Sequence, residues 1–162
     1  MSDDTRTPEQ IVTDLVEESP ICMVTTVGSD GDLLSRPMTR QDSEFHGRIR
    51  FLAPRDGHLV AEIAADPRVN VSVQSRDGFV SVAGRATVDE NRAAVTENWN
   101  AAMQAFLPDG PESAVAVDVE AESAEYWDSS GSTILHVASF VRAAVSDDRR
   151  TPDVGTSGTV EL

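Results

Sequence analysis

The sequence predicts a mainly β fold, a small barrel with helices at its edges, and three observations carry that expectation. Six or seven short stretches rich in β-branched residues recur along the 162-residue chain. Turn clusters such as Gly28-Ser29-Asp30-Gly31, Arg76-Asp77-Gly78 and Pro108-Asp109-Gly110-Pro111 separate them. Helical patterning is confined to the segments between and around the strands. A chain of this length builds one domain with a substantial core. That domain is expected over residues 1–145, followed by a flexible polar tail over 146–162.

The elements follow in order. Thr7-Pro8-Glu9-Gln10 reads as a helix start: a capping threonine, proline at the first helical position, then an acid in the first turn. Ile11, Val12, Leu15 and Val16 continue it at helical spacing, and Ser19-Pro20 closes it, giving a helix over about 8–18. Ile21 to Val27 is a strand entering a hairpin, and Leu33 to Arg40 is its return. Arg48 to Ala53 is a third strand. After the Pro54 to Gly57 turn, His58 to Ala65 reads as a short helix ended by Asp66-Pro67.

Val69 to Val73 alternates as a half-buried strand, and Phe79 to Val88 is another, with Gly84 suggesting a bulge. Asp89 to Leu107 is expected to be one long helix with Trp99, Met103 and Phe106 along one side. Ala114 to Val119 is a strand, and Thr133 to Val145 contains a last one. From Ser146 the composition turns polar and rich in Gly, Ser and Thr.

Composition removes several function classes. The formal net charge is −15, which repels nucleic acid and anionic lipid alike, so neither is an expected partner. The chain has no lysine, so no lysine Schiff base can form. Cys22 is the sole cysteine, which rules out an internal disulfide, and its apolar surroundings suit a small core residue. The N-terminus lacks an apolar signal run and nothing reaches transmembrane length, so a soluble cytoplasmic protein is expected. Three scattered histidines form no metal-ligand pattern, and no metal is expected. No Gly-rich phosphate loop or nucleophile elbow is present.

The segment Leu33 to Ile63 stands apart. It holds Arg36, Arg40, Arg48, Arg50 and Arg55, five of thirteen basic residues, on two strands and on the turn into a helix. Cations near a helix start suit an anionic ligand. Arg48 and Arg50 share one strand face and are expected to form a solvated or salt-bridged surface. His46 is expected in solvent, and His136 in the core.

Ser35-Arg36-Pro37-Met38, Arg48-Ile49-Arg50-Phe51-Leu52, Val60-Ala61-Glu62-Ile63-Ala64, Pro67-Arg68-Val69-Asn70-Val71-Ser72 and Phe79-Val80-Ser81-Val82-Ala83-Gly84 occur in order. This set resembles the pyridoxamine-phosphate-oxidase-like FMN-binding split barrels. Trp99-Asn100, Phe106-Leu107-Pro108-Asp109-Gly110 and Glu125-Tyr126-Trp127-Asp128 resemble its general stress protein branch. The resemblance implies a six-stranded split barrel, a homodimer, and FMN or FAD at the dimer interface.

By position it assigns Arg36 to the flavin phosphate, and Met38 and Thr39 to the ring edge. Phe51, Leu52 and Ala53 would lie beneath the ring, Arg55, Gly57 and His58 at the phosphate-side turn, and Trp127 near the ring. It implies an oxidoreductase of stress or redox metabolism. A true pyridoxamine-phosphate oxidase is not implied, because the C-terminal substrate-binding arginine motif is not recognisable. Gly57, Leu59 and Ala53 stand where the family commonly has Ser, Lys and Thr. Those departures favour the alternative of a cofactor-free relative, or one adapted to another ligand such as a deazaflavin or haem.

Overall fold

The computed structural model describes residues 6–42, 44–128 and 156–161. Helix α1 (Pro8–Glu17) starts on the expected capping box, in which Thr7 and Gln10 each cap the other's backbone. It buries Val12, Leu15 and Val16. Then come β1 (Ile21–Val27), β2 (Leu33–Thr39), β3 (Arg48–Pro54), α2 (His58–Ala65), β4 (Arg68–Gln74) and β5 (Gly78–Asp89). Two short helices, α3 (Arg92–Thr96) and α4 (Ala101–Phe106), precede β6 (Ala114–Asp128) and β7 (Thr156–Glu161).

The strands pair antiparallel in the order β2-β1-β4-β5-β6-β3, with β7 added to β6. The sheet curls round a core containing Val24, Phe51, Val71, Val82, Val117 and Tyr126, each at most 2 % exposed. It does not close: β2 and β3 remain its two ends, joined by little beyond a Gln41 amide donating to the Arg50 carbonyl at 2.9 Å. A mainly β architecture with flanking helices and an open seam fits a split barrel. A second, smaller core lies on the opposite face of β3, where Leu52, Ala114 and Ala116 meet Ala94, Val95, Met103 and Leu107.

Three elements differ from expectation. The single helix over 89–107 is two helices. Asn91 caps α3 by accepting from the Ala93 amide, and Asn100, in an extended conformation, caps α4 by accepting from the Ala102 and Met103 amides. Asparagine competes with helical hydrogen bonds, so the chain restarts at Asn100 where side-chain spacing alone reads as continuous. Strand β6 has 15 residues because its first half pairs with β3 and its second with β7, while β5 runs along both.

The third difference lies in the tail. Thr156–Glu161 pairs with Ser123–Asp128, and Val160 is buried. A polar composition concealed a strand that shields the far half of β6. The strand expected within 133–145, and His136 with it, lies outside the described residues.

Gly84 sits at the register break between β5 and β6, as the bulge expectation requires. A Cβ there would stand 2.2 Å from the Glu120 carbonyl oxygen, so only glycine lets the strands approach. Gly31 takes φ +82° in the β1–β2 turn, a conformation that favours glycine.

Candidate functional site

The seam between β2 and β3 holds the candidate site. Ile21 of β1, Pro37, Met38 and Thr39 of β2, and Leu52 of β3 line a cavity of about 290 Å³. Met103, Phe106 and Leu107 of the α4 segment form its remaining wall. Its lining is predominantly apolar, and its volume is near the lower end of the roughly 300–1,000 Å³ usual for small-molecule sites. Phe106 and Leu107 also line an adjoining cavity of about 230 Å³, with Pro54, Asp56, Gly57, Pro108, Asp109 and Ser113. The two cavities lie on either side of Phe106 and Leu107, one at the seam and one at the start of α2, and are taken together as the cleft.

The local structure explains why the cleft stays open. Strand alternation turns Leu52 toward it and Phe51 and Ala53 into the barrel core, where they are 0 % and 1 % exposed. Asn100 fixes the start of α4, and buried Met103 anchors it against Leu52. Phe106, one turn on, is left 71 % exposed at the cleft mouth. At the other end Gly57 lines the second cavity and occupies the N-cap of α2, whose first amides have no side-chain cap.

The structure gathers Met38, Thr39, Leu52 and Gly57 along the cleft and disperses the other expected residues. Arg36 is engaged within the chain. Its Nη2 donates to Glu62 Oε2 at 2.8 Å and its Nη1 to Thr26 Oγ1 at 3.0 Å, and Thr26 donates to the same carboxylate oxygen. Burial pushes the Glu62 carboxyl up, but hydrogen bonds from Thr26 and Arg36 outweigh it, and the net shift is downward. Glu62 is therefore ionised near neutrality, and the pair balances its own charge.

Arg55 is partly exposed and faces Glu90 at 3.6 Å. His58 is exposed at the first position of α2. Leu59, at the position where the family commonly has lysine, is 5 % exposed and belongs to the barrel core. Trp127 lies on the outer sheet face opposite Phe79, apart from the cavity lining.

Arg48 is exposed, whereas the other two arginines of the segment are engaged. Arg50 makes a two-point bond to Asp118, at 2.7 Å and 2.6 Å, and reaches Asp89 at 3.2 Å, matching the expected salt-bridged face. Arg40 donates to the backbone carbonyls of Asp42 and Glu17, while its buried Nε has no partner. His46 is exposed beside Glu44, as expected. Cys22 is 1 % exposed; burial pushes its thiol up to about 11, although Arg40 pulls the other way.

Sequence reasoning did not place Ile21, Phe106 or Leu107 at a site, nor Glu62 on Arg36. The available signal for Phe106 was an aromatic residue immediately before the helix-ending Leu-Pro-Asp-Gly run. For Glu62 there was none, because its partner lies 26 residues away.

Residues 7–153 match the family described as pyridoxamine 5'-phosphate oxidase like. The chain belongs to this family. No curated protein matches it by sequence. Among solved structures it resembles a general stress family protein of Xanthomonas campestris at 24% identity and TM-score 0.63, covering 85% of this chain and 100% of that one. A general stress protein 26 relative from Clostridium acetobutylicum shares 19% identity at TM-score 0.63, over 73% and 86% of the two chains. A pyridoxamine 5'-phosphate oxidase-related, FMN-binding protein of Nostoc punctiforme shares 12% at TM-score 0.64, over 79% and 88%. At these identities the likeness speaks to the fold. Among the described residues no helix is long and apolar enough to cross a membrane, and no group of three or more His, Cys, Asp or Glu is arranged to hold a metal.

Proposed function

We propose that the chain is a flavin-nucleotide-binding member of the family, an FMN- or FAD-dependent oxidoreductase of stress or redox metabolism and not a pyridoxamine-phosphate oxidase. The observation that carries this reading is the elongated cleft, apolar at the seam and opening at its other end on Gly57. A planar apolar ring suits the first end, between Met38, Leu52 and Phe106. The polar tail of a nucleotide would then run toward Gly57 and the free amides of α2. A bound flavin supplies electron and hydride transfer, while the chain's residues bind it, orient it and limit water access.

The proposed protein is a homodimer. Its outer sheet face supports this: Ile21, Met23 and Phe79 are 58 %, 40 % and 50 % exposed there. Ser72 stands between Met23 and Ser81, and Gln74 beside Phe79, with Trp127 next in the row. On this face β1, β2 and the first half of β5 carry no charged side chain and β4 carries only Arg68 at its start, in a chain with 28 acidic residues. Trp127 and Phe79 then serve the interface, and the cavity at Ile21 opens at its margin.

Titration with FMN and FAD, following flavin fluorescence, tests the reading. Saturable quenching at low micromolar flavin is expected, and no binding at high flavin concentration sinks it. The engagement of Arg36 by Glu62, with Asp56 and Asp109 beside Gly57, favours a second reading, a cofactor-free binding protein. The same titration separates the two.

A further inference from the structure

We infer that the cleft recognises the flavin ring and is indifferent to the phosphate, so that riboflavin binds about as well as FMN. This rests on the flavin reading above and names which part of the ligand is selected. The apolar end has a formed cavity, with walls from two edge strands and α4. The lining of the opposite end carries no positively charged side chain. Among residues lining the cavity at Gly57, the charged ones are Asp56 and Asp109.

Arg36, Arg40 and Arg55 line neither cavity, and each contacts another group. Arg36 is balanced by Glu62 at 2.8 Å, Arg40 is turned to the Asp42 and Glu17 carbonyls, and Arg55 faces Glu90. Glu62 lies five residues beyond Gly57 on α2, roughly 7–8 Å along the helix axis, and its carboxylate is held by Arg36 and Thr26. The free α2 amides favour an anion by roughly two- to fivefold. The carboxylates of Asp56 and Asp109 oppose that preference by a similar factor, which leaves little net discrimination.

Riboflavin, FMN and FAD titrated in parallel test the inference, with flavin fluorescence and the shift in melting temperature as readouts. The expected dissociation constants for riboflavin and FMN agree within about fivefold, and raising the salt does not weaken FMN. FMN binding more than about fivefold tighter than riboflavin overturns the inference and leaves the flavin reading intact. If none of the three binds, both fall.

Glu62→Gln removes the balancing charge from Arg36. FMN affinity should rise by about tenfold or more while riboflavin is unmoved, the effect of one freed charged contact. If the variant folds and FMN is unmoved, Glu62 does not control the phosphate end and the inference fails. Asp56→Asn, at an exposed turn, keeps the test open should Glu62→Gln misfold. It should shift the FMN-to-riboflavin preference toward FMN, and a shift the other way counts against the inference.

Discussion

Replacing Leu59 with lysine separates two accounts of the phosphate end. In the first, a lysine at this position adds a phosphate contact, so the substitution tightens FMN by about tenfold or more. The structure supports the second. Leu59 is 5 % exposed and packs in the barrel core. Removing the leucine side chain from that core loses about 1.5–3 kcal/mol of transfer free energy. Leaving an amine there without partners adds about 1–3 kcal/mol. The sum, about 2.5–6 kcal/mol, lowers the melting temperature by roughly 5–24 °C for a chain of this size.

The pH dependence has a definite sign. A lysine held in the core has its folded-state pKa depressed below the unfolded value of about 10.4. Between those two values the unfolded chain binds more protons, so stability rises with pH. The deficit against the parent protein should therefore shrink from pH 7 to pH 9. Leu59→Met, which conserves volume, should cost less than about 1.5 kcal/mol. Thermal melts followed by circular dichroism, paired with FMN titration, give the result. A lysine variant that melts with the parent protein and binds FMN tenfold tighter refutes the placement of this side chain.

Three further outcomes follow from the packing. Arg50→Ala leaves the Asp118 carboxylate, 8 % exposed, without its two-point partner and should cost about 3–5 kcal/mol in chemical denaturation, whereas an unchanged midpoint refutes a structural role for the pair. Gly84→Ala drives a Cβ against the Glu120 carbonyl and should destabilise by about 1–3 kcal/mol, and a neutral result means the strands separate there at no cost. Cys22, buried and with its thiol raised to about 11, should resist a disulfide-exchange reagent at pH 8 until the chain is denatured; rapid stoichiometric labelling of the folded protein contradicts its burial.

Much of this fold was legible because its signals are local. The Thr7-Pro8 start, the glycine-rich hairpin turn and the alternation of Val69, Val71 and Val73 each identify an element from neighbouring residues. The elements that misled depend on distant partners. β7 is polar in sequence and becomes a strand because β6 offers an unpaired edge. Asn100 breaks a helix that periodicity would continue. The site divides in the same way. Strand position brings Met38, Thr39 and Leu52 to the cleft, and adjacency to α2 brings Gly57. The fate of Arg36 required a third element, because its partner Glu62 sits on a helix that packs across β1.

The cleft and the unclosed seam have one cause. A fully closed barrel would leave β2 and β3 paired and their edges satisfied. Here both strands end the sheet, and α4 lies beside the gap instead of filling it, with Met103 inside and Phe106 outside. The gap exposes backbone polar groups of two edge strands next to apolar side chains from β1, β2 and β3. A ligand that is flat, apolar on its faces and polar at its rim can meet both requirements at once. A compact anion meets neither, and it would also encounter the carboxylates of Asp56 and Asp109 at the far end. The proposed ring recognition thus follows from where the sheet opens, and phosphate recognition would need charges such as Arg36, which this chain pairs with Glu62.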